Sequence, residues 1–234
     1  MKTIKIAHLY YDLMNLYGEN GNVRALEKYL SKSFNVKVFN LTVDDEIDFS
    51  KYDIFYIGSG NNESFEIVLD DIKKYKDDIK KAINEKFFIS TGNSINLFGK
   101  YYINKQLHKK KIECLDILKY SSKEKKKRIV GEQILKFKHV KQEIIGFFNR
   151  GSKLIKIKEK MLFSVIEGYG TLEGINYKHF YGTYLLGPLL IRNPYFTEYL
   201  VKQICKKYDT EYVKVNNDME VKAYEEYRYN FLKK

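Results

Sequence analysis

Strand-like and helix-like segments alternate along roughly the first hundred residues, and this alternation constrains the fold more than any other feature of the sequence. Residues 3–10, 35–41, 53–60 and 87–90 have the apolar and aromatic content that is typical of short strands. The strongest helical pattern lies at residues 63–83, where apolar side chains recur every three or four positions. The alternation predicts an α/β fold of three layers, with helices on both faces of a mostly parallel sheet.

The second half of the chain is richer in strand patterns and closes with helices. Asn193 and Pro194 form a cap and first-turn pair for one helix, and a last helix is predicted over residues 220–232. No linker-like segment or internal repeat interrupts the pattern, so we expect a single domain over residues 1–234. The strands predicted in this half are residues 128–137, 143–148, 161–166 and 179–187.

Composition excludes several classes of protein. The 42 lysines and arginines outnumber 30 acidic residues, but the excess is dispersed lysine without a binding motif, so we expect no nucleic-acid partner. Only the lysine clusters at residues 109–111 and 125–128 are expected to contact an anionic partner. No apolar run approaches the length of about 18 residues that a membrane helix needs. We therefore expect a cytoplasmic protein without membrane insertion.

Metal and cofactor sites are not predicted. Two cysteines, Cys114 and Cys205, belong to no paired motif, which fits a reducing compartment. The four histidines are widely spaced and form none of the patterns that bind zinc. They are His8, His108, His139 and His179.

Two polar loops follow predicted strands, with the sequences GSGNNE at residues 58–63 and TGNSIN at residues 91–96. Ligands of open parallel sheets bind beyond the carboxyl ends of the strands. These loops are therefore the expected location of a functional site.

Four motifs, spread in order over nearly the whole chain, give the sequence a family resemblance. It resembles the class I glutamine amidotransferases of the cobyric acid synthase type, and most closely the glutamine amidotransferase subunit of lipid II isoglutaminyl synthase. The resemblance implies a flavodoxin-like, class I amidotransferase fold. The motifs are LYYDLMNLYGENGNV at residues 9–23, GSGNNE at 58–63, NLFGKYY at 96–102 and GTYLLGPLLIRNP at 182–194.

The resemblance also implies that the catalytic pair of the family is missing. Family members carry a cysteine in an elbow of the form ICGGYQLLGKYY and a histidine in YLHGPLL, which together form a thioester from glutamine and release ammonia. Counting back from Gly99 places Gly92 at the cysteine position, and Leu186 stands at the histidine position. Shifting the elbow by one residue would make Thr91 the fallback nucleophile.

Further family positions suggest a ligand pocket with altered polarity. The loop GGGQD of the family corresponds to residues 58–62, and Gly60 retains the glycine whose amide helps to bind an oxyanion. Arg128 resembles an arginine that handles glutamine, and Asn96 replaces the elbow glutamine. The candidate ligand-binding residues are Gly60, Asn61, Asn93, Asn96 and Arg128. In the family motif GFENH, the acid and the histidine have become Phe148 and Arg150.

Three functions remain open at this point. The first is a non-catalytic subunit that binds a Mur-ligase-like, ATP-dependent partner in a heterodimer for peptidoglycan amidation. The second is an active glutaminase that uses Thr91 or Ser94 to feed a peptidoglycan or cobyric-acid-type amidation. The third is a sensor that binds glutamine or a related amino acid without converting it.

Overall fold

A computed structural model describes residues 1–104, 110–186 and 188–232. His108, Lys109 and Gly187 lie outside these ranges, so the predictions that involve them concern undescribed residues. The strands in chain order are β1 (Thr3–Leu9), β2 (Asn35–Leu41), β3 (Ile54–Ile57), β4 (Phe87–Thr91), β5 (Tyr101–Asn104), β6 (Lys110–Glu113), β7 (Ser121–Lys136), β8 (Ile144–Ile155), β9 (Lys160–Glu167), β10 (Leu172–Tyr177) and β11 (Phe180–Thr183).

Six helices and three 3-10 turns connect or cover these strands within the described ranges. The helices are α1 (Asn20–Leu30), α2 (Asn62–Ile72), α3 (Lys76–Glu85), α4 (Leu189–Arg192), α5 (Pro194–Lys207) and α6 (Asp218–Leu232). The 3-10 turns are Phe49–Lys51, Lys73–Tyr75 and Gly92–Phe98.

The strands form one sheet in the order β2-β1-β3-β4-β11-β10-β9-β7-β5-β6, with β8 paired to β7. The half that runs from β2 to β11 is parallel throughout. The other half is mainly antiparallel. Its long strands β7 and β8 are separated from the parallel half by β9 and β10. The carboxyl ends of β3, β4 and β11 therefore meet at one edge of the sheet, where the sequence predicts the site.

Several elements differ from the sequence-based prediction. The helix predicted over residues 63–83 is broken into α2 and α3 by the 3-10 turn Lys73–Tyr75. The break places the Tyr75 hydroxyl 3.0 Å from the amide of Ile47, from which it accepts a hydrogen bond. Local periodicity could not predict this break, because the contact that accompanies it joins residues distant in sequence.

Three strands were not predicted, and two others were predicted too short. The missed strands are β5, β6 and β10. β7 begins at Ser121 rather than at residue 128, and β8 ends at Ile155 rather than at residue 148. The lysine-rich start of β7 resembles a solvated loop in sequence, whereas in the structure it pairs with the far end of β8. Backbone pairing with a distant strand here outweighs local composition.

Two separated family motifs pack against each other and hold α1 next to α4. A Cβ on Gly21 would lie 2.7 Å from the Pro188 ring, so only glycine permits this approach. The buried Asn22 accepts the amide hydrogen of Leu190 at 2.8 Å through Oδ1. Asn193 in turn both accepts from and donates to the backbone of Ile145 on β8 at 2.7 Å. These motif residues therefore have a structural role in joining the two ends of the fold.

No helix in the described part of the chain is long and apolar enough to cross a membrane.

Burial of His8 on β1 predicts a pH-dependent stability. Burial lowers the pKa of His8 from 6.5 to about 4, although the Asn40 side chain acts in the opposite direction. Between these values the unfolded chain takes up a proton that the folded chain does not, so stability falls as the pH drops through this window. At 1.36 kcal/mol per pKa unit, the loss is about 3 kcal/mol at most.

The test is urea unfolding between pH 7 and 4, with His8→Gln beside the parent chain. We expect the His8→Gln chain to lose less stability over this window than the parent. The exposed His139 supplies the control, since His139→Gln should keep the pH dependence of the parent. A His8→Gln chain with the same pH profile as the parent would contradict the prediction.

Candidate active site

Gly92 occupies a sharp turn directly after β4. Its φ of +67° lies in the left-handed region, which costs an L-residue about 1–2 kcal/mol and glycine almost nothing. A tight turn from a strand into a helical segment is the geometry that exposes a nucleophile in hydrolases built on parallel sheets. The backbone of a nucleophile elbow is therefore present, with a residue that carries no side chain.

Ser59 and Leu186 fill the space that a side chain on residue 92 would need. A Cβ at this position would lie 2.3 Å from the Cβ of Ser59 and 2.8 Å from Cδ2 of Leu186. The fold thus brings positions 92 and 186 side by side, as a nucleophile and its base must be. In this chain neither a thiol nor an imidazole stands there, and Leu186 is buried.

The backbone amides next to the elbow are engaged within the protein. The Gly60 amide donates to Oδ1 of Asn93 at 3.0 Å, and the Asn93 amide donates to Oγ of Ser59 at 3.3 Å. Asn93 closes the ring by donating its side-chain amide to the Gly60 carbonyl at 2.8 Å. An oxyanion hole needs free amide donors aimed at the developing charge. Here the Asn93 and Ser59 side chains occupy both of these donors.

A cavity of about 390 Å³ opens beside the elbow. It contains all five of the ligand-binding residues expected from the sequence, namely Gly60, Asn61, Asn93, Asn96 and Arg128, together with Gly92. The remaining lining residues come from the loops after β1 and β3, from α2, from β5, β7 and β8, and from the segment after β11. They are Leu16, Tyr17, Ser59, Asn62, Phe65, Tyr102, Glu124, Lys125, Lys126, Asn149, Arg150, Gly151, Ser152 and Tyr184.

A hydrogen-bonded row of polar side chains forms one wall of the cavity. The Tyr184 hydroxyl donates to Oδ1 of Asn96 at 2.5 Å, and Nδ2 of Asn96 donates to Oγ of Ser152 at 3.1 Å. Burial raises the pKa of Tyr184 far above its ordinary value, so its hydroxyl remains a neutral donor. Sequence reasoning identified Asn96 only, because Tyr184 follows β11 and Ser152 lies on β8, two segments that local patterns do not bring together.

Thr91, the fallback nucleophile, does not line the cavity. Its hydroxyl donates to Oε2 of Glu19 at 2.5 Å and lies 2.6 Å from the Tyr56 hydroxyl, in a fully buried cluster. Burial raises the pKa of Glu19, which opposes the hydrogen bonds that favour its charged form. Ser94 is also buried, and its hydroxyl bonds to the Ile57 carbonyl at 3.2 Å. Neither hydroxyl reaches a ligand in the cavity without a rearrangement.

Arg150 and Glu173 form a buried ion pair at the edge of the cavity. Nη1 of Arg150 lies 2.8 Å from Oε2 of Glu173. The guanidinium also stacks on Phe148, with its central carbon 4.1 Å from the ring centroid. Glu173 accepts further hydrogen bonds from the Thr183 hydroxyl and the Tyr184 amide. Burial raises the pKa of this carboxyl, and Arg150 acts against that rise.

The cysteines and the described histidines lie away from the cavity lining. Burial raises the pKa of the Cys114 thiol to about 12, which disfavours the nucleophilic thiolate. Burial also raises the pKa of Cys205. His179 packs on Phe87, with 4.5 Å between the ring centroids. His179 precedes β11, whereas residue 186 follows it. Within residues 1–104, 110–186 and 188–232, no cluster of metal-binding side chains occurs.

Comparison with known proteins now decides the family. Residues 5–194 match the CobB/CobQ-like glutamine amidotransferase domain. The chain belongs to this family. It is 31% identical over 233 residues to the GatD subunit of the glutamine-hydrolyzing lipid II isoglutaminyl synthase of Streptococcus pneumoniae, with coverage of 95% of this chain and 86% of the relative. The corresponding GatD subunit of Staphylococcus aureus is 29% identical, with coverage of 95% and 94%.

Solved structures support the same fold. A crystal structure of a glutamine amidotransferase aligns with a TM-score of 0.58 at 12% identity, covering 85% of this chain and 98% of that one. The glutaminase domain of Trypanosoma brucei CTPS, with bound acivicin, aligns with a TM-score of 0.55 at 10% identity, covering 91% and 96%. The α/β, class I amidotransferase-like fold expected from the sequence is thereby confirmed.

Proposed function

We propose that this chain is a non-hydrolysing, glutamine-amidotransferase-like subunit of a lipid II isoglutaminyl synthase-type complex. The family membership and the two GatD relatives support the pathway. One observation carries the loss of hydrolysis: positions 92 and 186 face each other, but they hold a glycine and a leucine. On this proposal, residues 1–234 act as a single domain whose role is to bind a partner.

Glutamine hydrolysis needs the nucleophile and the base that positions 92 and 186 lack. A thiolate must attack the side-chain carbonyl carbon, the carbon–nitrogen bond must break, and a base must pass its proton to the departing ammonia. Water then cleaves the thioester. Without nucleophile and base, only binding and oxyanion stabilisation remain, and loss of a nucleophile–base pair typically costs about 10⁶-fold in rate. The amides of Gly60 and residue 93 offer little compensation, because side chains already occupy them.

The proposed partner is a Mur-ligase-like, ATP-dependent subunit that amidates the glutamate of the peptidoglycan stem peptide. The resemblance implies this partner, and the chain keeps the α/β fold of the family. In such a heterodimer, located in the cytoplasm, the chain would stabilise or regulate the ligase while the ligase takes free ammonia. No cofactor of the chain itself is required for this role.

Co-expression with the Mur-ligase-like subunit from the same genome tests the proposal. We expect the two chains to co-purify through affinity and size-exclusion steps. The complex should amidate the substrate with ammonium as nitrogen donor and show no amidation above background with glutamine. The ligase expressed alone, assayed with ammonium, is the control for what the chain adds. Failure to form a complex, or amidation with glutamine at a rate close to that with ammonium, would contradict the proposal.

A ligand sensor is the second candidate, and the open cavity favours it. The cavity keeps Arg128 and several amide side chains although the catalytic residues are gone. An active glutaminase has less support, because Thr91 and Ser94 are buried and bonded away from the cavity. Calorimetric titration with glutamine, glutamate and related amides tests the sensor, and titrations without heat would count against it.

A further inference from the structure

The basic run at residues 125–128 forms a bulge over the cavity. On the pair β7 and β8, Glu124 lies opposite Ser152 and Ile129 lies opposite Arg150. Four residues of β7 therefore span the space opposite the single residue Gly151. Lys125, Lys126 and Arg128 line the cavity, whereas Lys127 does not.

Contacts fix two of the cationic side chains at the cavity. Nη1 of Arg128 donates to both the carbonyl and the side-chain oxygen of Asn149 at 2.9 Å. Arg150 is held by Phe148 and Glu173, and its Nε is buried without an acceptor among the residues that the structure describes. An unmet buried donor favours a ligand that brings an acceptor.

The balance of charge in the lining is strongly positive. Four cationic residues, Lys125, Lys126, Arg128 and Arg150, line the cavity with one acidic residue, Glu124. Glu173 lies behind the lining and offsets Arg150. Burial, with the nearby Arg150 and Lys153, lowers the pKa of Lys125, as expected for a lysine drawn into a cationic and partly desolvated environment. The uncompensated charge of this environment favours an anion over a neutral ligand.

We propose that the cavity binds a small dicarboxylate, the class that includes glutamate and 2-oxoglutarate, in preference to the uncharged amide glutamine. The inference rests on the proposed function in assuming that the cavity no longer hydrolyses glutamine.

Replacement of two polar family residues gives the preference a physical origin. Phe148 stands where the family motif has an acid, and Arg150 stands where it has a histidine. Arg150 lines the cavity and brings a permanent cation to it, and its guanidinium stacks on Phe148, which carries no charge. Glutamine has no net charge at neutral pH, whereas glutamate carries a second carboxylate that Arg and Lys side chains can bind with charge-assisted hydrogen bonds. A cavity of about 390 Å³ lies in the size range of sites for small ligands.

Calorimetric titration of the full chain at low ionic strength, with glutamate, 2-oxoglutarate and glutamine as probes, tests the inference. We expect at least one dicarboxylate to bind about tenfold or more tightly than glutamine, and its affinity to fall as salt is raised. Lys125→Gln and Arg128→Gln should each weaken the dicarboxylate several-fold. Lys127→Gln, from the same run but outside the lining, is the matched control and should leave its affinity unchanged.

Arg150 needs a paired variant, because its removal alone would leave Glu173 buried without its partner. The double variant Arg150→Gln/Glu173→Gln removes both charges and keeps hydrogen-bonding groups of similar size. We expect it to fold, as judged by circular dichroism, and to bind the dicarboxylate more weakly than the parent.

Three outcomes would overturn the inference. They are tighter or equal binding of glutamine, no binding of any probe, and an equal loss of affinity in Lys127→Gln and Lys125→Gln. Complex formation with the ligase is measured in a separate experiment, by co-purification of the parent chain. Failure of this inference is therefore distinguishable from failure of the proposed function.

Discussion

The purified chain is expected to release no ammonia from glutamine above the uncatalysed rate, alone or with the ligase subunit. Rebuilding the site should create the activity. Four substitutions are needed: Ser59→Gly, Gly92→Cys, Asn93→Gly and Leu186→His. Together they supply the thiol and the imidazole, remove the Ser59 side chain that blocks residue 92, and release the amides of residues 60 and 93.

The quadruple variant should hydrolyse glutamine at least about 10³-fold faster than the parent chain, since a working nucleophile and base are worth more than this in cysteine and serine enzymes. Ammonia release and a covalent adduct with an electrophilic glutamine analogue, observed by intact mass, are the measurements. The control is the same variant with alanine in place of cysteine at position 92, which should remain inactive and unlabelled.

Gly92→Cys alone is not an adequate test. Its Cβ would collide with Ser59 and Leu186, and the left-handed φ adds strain, so we expect it to lower the free energy of unfolding by about 2–4 kcal/mol. Ammonia release by the stringently purified parent chain would contradict the prediction of inactivity. Thr91→Val would then show whether the buried threonine is responsible.

Removal of the Glu173 carboxylate is expected to have the largest effect on stability. Glu173 is buried and accepts hydrogen bonds from Arg150, the Thr183 hydroxyl and the Tyr184 amide. Glu173→Ala leaves Arg150 without its counter-charge and two donors without an acceptor. Breaking a buried ion pair in this way costs about 3–5 kcal/mol.

Urea unfolding at neutral pH measures this effect. Glu167→Ala, which removes an exposed acid from β9, is the matched control and should change stability by less than about 1 kcal/mol. The double variant Arg150→Met/Glu173→Leu should recover much of the loss, because no uncompensated charge remains buried. Equal costs for Glu173→Ala and Glu167→Ala would show that the ion pair does not stabilise the fold.

The local pattern of the chain determined the parallel half of the sheet. β1 to β4 are short, apolar or aromatic and separated by turns, so their periodicity and composition are sufficient to identify them. The family motifs likewise located the elbow and the five expected ligand-binding residues, all of which line one cavity. The strand predictions are confirmed because their signals are contained within short, continuous segments. The role of the five residues in ligand binding stays a prediction.

Tertiary structure alone decided the character of the site. Sequence reasoning interpreted residues 125–128 as a basic cluster that contacts an anionic partner, but only the register of β7 against β8 shows that they form a bulge over the cavity. It also could not show that Ser59 fills the space of the missing side chain at Gly92, or that Asn93 occupies the amide of Gly60. The physical reason is that side-chain packing and strand register depend on contacts between residues far apart in sequence, which local patterns do not encode.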